Sequence, residues 1–131
     1  MKLSLRLRLV ACVLGLLSLG LTSGCVVVAA GAAGAGAVAW VRGELDATLG
    51  NSFDDVSRAT SRALEQLQLA KISETKSALD AQFIARTGQD KRIQIRLDRT
   101  TDTLTRVRVR VGTFGDETLS RAILDKIRAN L

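Results

Sequence analysis

The stretch RIQIRLDRTTDTLTRVRVRVGTFG, residues 92–115, decides the fold. Ile93, Ile95 and Leu97 alternate with Arg92, Gln94, Arg96 and Asp98, and Val107, Val109 and Val111 alternate with Arg106, Arg108 and Arg110. A period of two puts one set of side chains on each face of a strand, so both runs read as strands with one apolar and one polar face. The segment joining them, Arg99 to Thr103, is short and polar. A crossover to a parallel partner needs a dozen or more residues, so these strands pair as an antiparallel hairpin.

Working outward, Leu79, Ala81, Phe83 and Ala85 alternate cleanly and Leu69 to Thr75 does so weakly, with short polar connections at Lys76 to Ala78 and Gly88 to Lys91. Four consecutive antiparallel strands follow from that spacing. Ahead of them, Ser52 is placed to cap a helix, with Asp55 three residues on forming a capping-box-like pair. Val56, Thr60, Ala63, Leu64 and Leu67 make the apolar stripe of a helix over about Phe53 to Gln68. Further upstream, Ala39 to Leu49 places Val41, Gly43, Leu45, Ala47 and Leu49 on one face, which predicts a single first strand. Downstream, a closing helix starts at Gly115. Asp116 and Glu117 complement its dipole, Leu119, Ile123, Ile127 and Leu131 form one stripe, and Lys126 and Arg128 lie near its end. The predicted class is α+β, a two-layer sandwich of about five antiparallel strands with two helices on one face, in the order β-α-β-β-β-β-α.

The front of the chain differs in kind. Of 131 residues, 47% are hydrophobic and 24% charged, yet no charge occurs between Leu9 and Val41. Met1 to Arg8 supplies the positive n-region of a signal peptide and Leu9 to Leu21 an apolar h-region too short for a full bilayer span. Leu21-Thr22-Ser23-Gly24-Cys25 then resembles the lipobox of bacterial lipoproteins, with Thr22 where leucine is usual and Leu21 one place earlier. The resemblance implies cleavage between Gly24 and Cys25 and a diacylglyceryl group on the Cys25 thiol. Two other readings compete: an ordinary secretory signal, and an uncleaved transmembrane helix from Leu9 to Val41. By the same resemblance, Val26 rather than aspartate after the cysteine favours the outer membrane of a Gram-negative host, on its periplasmic face. The expected organisation is a signal peptide over 1–24, a small-residue tether or membrane-proximal segment over 25–38, and an α+β domain over 39–131. The net charge of +6 includes Lys2, Arg6 and Arg8, so the processed chain carries +3 (6 minus 3). Cys12 leaves with the leader, so Cys25 has no disulfide partner.

The candidate sites are few. On adjacent antiparallel strands Arg92, Arg96, Arg106, Arg108 and Arg110 share the outward face and form a basic surface able to hold an anion, since guanidinium forks suit phosphate and carboxylate. The structural alternative pairs these arginines with Asp98, Asp80 and Glu74 across a solvated face. Gly112-Thr113-Phe114-Gly115 has the glycine spacing of a phosphate cradle, but Asp116 and Glu117 would repel an anion there. A tight turn that lets Phe114 pack is the simpler expectation. Adjacent Asp54 and Asp55 point to different helix faces, which is poor geometry for paired-carboxylate chemistry. The chain has no histidine, so nothing activates its serines and threonines in a familiar way, and a metal would lack imidazole ligands. No catalytic residues, no metal site and no cofactor beyond the covalent lipid are expected. No aromatics interleave with the arginines, so no nucleic-acid partner is expected either.

Val41-Arg42-Gly43-Glu44-Leu45 and Arg110-Val111-Gly112-Thr113-Phe114-Gly115-Asp116-Glu117, followed by Leu119-Ser120-Arg121 and Ile123-Leu124-Asp125-Lys126-Ile127, resemble a family of small Gram-negative lipoproteins, domain-of-unknown-function family 3568. The likeness covers essentially all of the processed chain and implies a lipoprotein of unassigned function, with lipid on Cys25. The expected role is therefore a noncatalytic, lipid-anchored envelope protein that supports structure or binds a partner. The alternative is a module that holds an anionic envelope ligand, such as a lipid headgroup, lipopolysaccharide or an acidic protein, on the arginine face.

Overall fold

The structure, a computed structural model, describes residues 37–131. The leader, Gly24, Cys25 and all but the last two residues of the 25–38 segment lie outside the described residues. Six strands form one antiparallel sheet: β1 (Val38–Val41), β2 (Glu44–Leu49), β3 (Ala70–Lys76), β4 (Asp80–Arg86), β5 (Arg92–Arg99) and β6 (Thr105–Val111). Two helices, α1 (Phe53–Gln66) and α2 (Glu117–Ala129), complete the fold. The sheet order is β1-β2-β6-β5-β4-β3. The α+β class agrees with the sequence reading, whereas the strand count is six rather than five.

The extra strand comes from one turn. Arg42 and Gly43 both have positive φ, 51° and 79°, as a two-residue primed turn requires. The run from residue 39 to 49 is therefore a hairpin with Val41 opposite Glu44 and Trp40 opposite Leu45. The fold-back puts Val38 and Trp40 against the core and turns Val41 outward, where it is 51% exposed. Arg-Gly is not among the dipeptides that announce such turns, which is why unbroken alternation was the natural reading.

After β2 the chain crosses the sheet. Helix α1 packs over β5 and β3, the β3–β6 meander returns strand by strand, and β6 pairs with β2 to close the sheet. Helix α2 covers β6 and β2. Between the two layers Leu45, Phe53, Phe83, Ile95, Val109 and Ile123 have essentially no solvent exposure. Each such side chain contributes about 1.5–3 kcal/mol through the water it no longer orders. The helix ends are specified locally. The Ser52 hydroxyl accepts from the Asp55 N–H, and the Asp116 carboxylate accepts from the Leu119 N–H, capping α1 and α2. Helix α2 starts at Glu117 rather than Gly115, because Gly115 sits at φ 88° and Asp116 is the extended cap. At the far ends Gln66 and Asn130 exchange two amide hydrogen bonds of 3.0 Å.

Strand β3 is exposed along its whole length. A register shift between Lys71 and Ser73 bulges the strand at Ile72, which is exposed. Lys71 pairs with Glu74, and Lys76 reaches Asp54 at the start of α1 at 2.8 Å. A bulge and outer lysines are the usual means of keeping an edge from pairing with another chain. Leu79, predicted to open the alternating run that continues through Ala81, Phe83 and Ala85, precedes β4 and is exposed.

Candidate functional site

The face of the sheet opposite the helices carries the five arginines named from sequence. Arg96 stands directly across from Arg108, and Arg92 directly across from Arg86. Like charges in that position repel, so each has to be relieved by a neighbour. Arg106 is held by Asp46 through a forked contact whose Nε donates at 2.9 Å, and this carboxylate pushes the guanidinium pKa up. Arg108 donates to Asp98 at 2.7 Å. Arg86 donates to Asp90 at 2.6 Å. The Gln94 amide oxygen, oriented to suit its neighbours, accepts from Arg96 at 2.9 Å and from Gln82. Of the acids expected to neutralise this face only Asp98 does so. Asp80 instead accepts from the Ser77 hydroxyl, and Glu74 from Lys71. Asp46 was missed from sequence: its outward parity with Glu44 and Thr48 follows from the alternation of β2, but that its strand borders β6 is visible only in the sheet order.

Neutralisation is uneven. Arg106 and Arg108, toward the middle and the Leu49 end of the sheet, have carboxylates. Arg92 and Arg110, at the end where β6 leaves the sheet, meet no carboxylate among the described residues; Arg110 donates only to the Thr113 carbonyl, at 2.8 Å. Between them lies an open groove of about 670 Å³ whose lining includes Lys91, Arg92, Gln94, Arg110 and Phe114. Gly112 stands across from Arg92, its N–H donating to the Arg92 carbonyl at 2.7 Å, and a Cβ there would meet nothing within 4 Å. Gly112 thus lines the groove with backbone alone.

One wall of this groove is the loop from β6 to α2, and it is fixed by a backbone contact. Gly43 of the first turn lies so close to Phe114 and Gly115 that a Cβ on Gly43 would fall 2.5 Å from the Phe114 carbonyl oxygen. A Cβ on Gly115 would fall 2.6 Å from the Gly43 Cα. Both glycines also have positive φ, so other residues are excluded twice over. The expectation that this turn lets Phe114 pack is corrected here: Phe114 is 92% exposed. The glycines bring two backbones together and leave the ring outside. Asp116 beside it caps α2, and the Leu119 N–H, helped by Lys91 at 3.4 Å, holds its carboxyl below the usual carboxylate range.

The two short motifs that carried the family likeness, Val41 to Leu45 and Arg110 to Glu117, are thus one structural unit, joined through Gly43 and Gly115. The family model described as Protein of unknown function (DUF3568) matches residues 7–130. The chain belongs to this family. No curated protein matches the sequence. What the DUF3568 domain offers chemically is therefore read from its own side chains. Among the described residues no cluster of three or more His, Cys, Asp or Glu is arranged to hold a metal. Asp54 faces Lys76 and Arg99, with Lys76 above all holding its carboxyl below the usual range, and both cations lie 5.3 Å from the buried Phe53 ring. That cluster fastens α1 to the ends of β3 and β5. No helix among the described residues is long and apolar enough to cross a membrane.

Proposed function

We propose that the chain is a noncatalytic lipoprotein of a Gram-negative envelope, anchored at the periplasmic face of the outer membrane by acyl chains on Cys25, with a structural or partner-binding role. The run Leu21-Thr22-Ser23-Gly24-Cys25, set between an apolar leader and a domain whose first strand begins at Val38, is the observation that carries this reading. Small residues before the cysteine let the backbone lie extended in a processing site. One acyl chain binds a bilayer marginally, whereas two or three, at about 0.8 kcal/mol per buried methylene, hold firmly. Twelve residue-to-residue steps lead from Cys25 to Ala37 (37 minus 25), which limits the domain to about 40 Å from its anchor. Intact mass of the membrane-extracted protein tests the anchor. The expected species begins at Cys25 and carries added lipid, and a Cys25→Ala variant lacks both features; retention of residues 1–24 on the wild type would overturn the reading.

A second reading, an anion-binding module on the arginine face, is favoured by the uneven pairing of that face. Arg92 and Arg110 meet no carboxylate among the described residues, and Arg96 meets only an amide oxygen. If the triple change Arg96→Gln, Arg106→Gln and Arg108→Gln leaves affinity for anionic lipid unchanged, the face as a whole is not the binding surface.

A further inference from the structure

We infer that the Phe114 end of the sheet is a membrane-contact tip that docks on an anionic phospholipid surface, with the phosphate groups between Arg92 and Arg110 and the Phe114 ring at the headgroup boundary. The inference rests on the lipid-anchored reading above, which brings the domain to a bilayer.

Three features of one end of the molecule converge on this role. The first is an aromatic ring that is 92% exposed yet mounted on a loop braced by the Gly43–Gly115 contact. A braced backbone lowers the ordering cost of placing its exposed ring against another surface. The second is charge. Arg92 and Arg110 line the groove without carboxylate partners among the described residues, while the two acids that also line it have cations or a cap to hold, Asp90 pairing with Arg86 and Asp116 with Lys91 and the α2 cap. Arg42, on the adjoining turn, adds another exposed cation. The third is shape. The groove of about 670 Å³ is open and its Gly112 edge presents no side chain. An open cleft with guanidinium walls and an aromatic lip fits a headgroup approached from a surface. It fits a buried small ligand poorly.

The reach of the chain allows it. The described residues begin at Ala37, whose carbonyl accepts from Thr48 at the end of the sheet opposite the Arg42-Gly43 turn. Strand β1 separates those ends by about 17 Å at 3.3–3.4 Å per residue. The contour between Cys25 and Ala37 extends to about 40 Å. A domain anchored at Cys25 therefore has enough slack to lay its far tip on the same bilayer.

The test uses the full chain carrying Phe114→Trp and Trp40→Phe, extracted from membranes and reconstituted into vesicles of brominated phosphatidylcholine, with or without one part in three phosphatidylglycerol. The two changes leave a single indole, at the tip. The expected result is blue-shifted, bromine-quenched indole emission in the anionic vesicles only. Adding Arg92→Gln and Arg110→Gln should lower the ratio of docked to undocked tip about 30-fold, as two arginines near an anionic surface imply, with circular dichroism unchanged. Equal quenching with and without phosphatidylglycerol, or quenching indifferent to the two arginines, overturns the proposal. So does displacement of the tip by millimolar inorganic phosphate, which would mark a soluble phosphate site instead. Intact mass of the same sample reports the anchor separately: a tip that docks on a chain without added lipid refutes the anchor alone, and a lipidated chain whose tip stays unquenched refutes the docking alone.

Discussion

Gly43, Gly112 and Gly115 all have positive φ but different surroundings, and they give a graded prediction. An alanine at 112 bears only the left-handed backbone cost, about 1–2 kcal/mol, because its Cβ enters open space. At Gly115 the same backbone cost adds to overlap with the Gly43 backbone, so Gly115→Ala should destabilise by about 2–4 kcal/mol. Urea midpoints at unchanged slope check the order. A second prediction concerns acid. The carboxyls of Asp54 and Asp116 are held low in the folded chain, the first mainly by Lys76 and the second mainly by the Leu119 N–H. Groups with depressed folded values stabilise above the unfolded carboxylate range, near about 3.9, and lose that contribution as pH falls through their folded values. Asp54→Asn should therefore narrow the difference between urea midpoints at about pH 6 and about pH 3, which bracket that range; an undiminished difference would remove Asp54 from the acid response. The outward parity of Arg92 through Arg110 was legible because alternation is a backbone property. Which acid meets which arginine was not, because diagonal partners such as Asp46 depend on a β2–β6 pairing that joins residues about sixty positions apart.

At the scale of elements, alternation and capping were enough to locate most of the fold. Ser52 caps α1 as its sequence suggests, Ile93, Ile95 and Leu97 are buried, and so are Val107, Val109 and Val111. What alternation could not show was the Arg42-Gly43 turn, since a hairpin with a two-residue loop and a straight strand differ only in two dihedral pairs. The weak pattern at Leu69 to Thr75 has a physical reason: β3 is an edge strand without a buried face, and its bulge breaks the period. Neighbouring strands should accordingly respond unequally. Phe83→Ala on β4 removes a fully buried ring and should cost about 3–5 kcal/mol, whereas Ile72→Ala on β3 should stay within about 0.5 kcal/mol. Comparable losses at both positions would mean that β3 is covered by something in solution. Ser52→Ala should cost about 1 kcal/mol through the lost cap, readable as a lower thermal midpoint.

For the whole molecule, the sheet order places β6 and β5 at the centre and β1 and β3 at the edges. Amide hydrogen exchange should be slowest in β5 and β6, intermediate in β2 and β4, and fastest in β3, whose outer edge faces solvent. Protection of β3 equal to that of β5 would contradict the open edge. The pairing of β2 with β6 sets one further property. Leu45 finds its partner at Val109, so the core strand near residue 45 stays unpaired on that side until residues 105–111 have emerged from the ribosome. Contacts that span most of a chain form late and slowly. With this topology the local hairpins can form as the chain emerges, but the six strands become one sheet only when β6 is made and reaches back to β2, so completing the sheet is the last long-range step of folding.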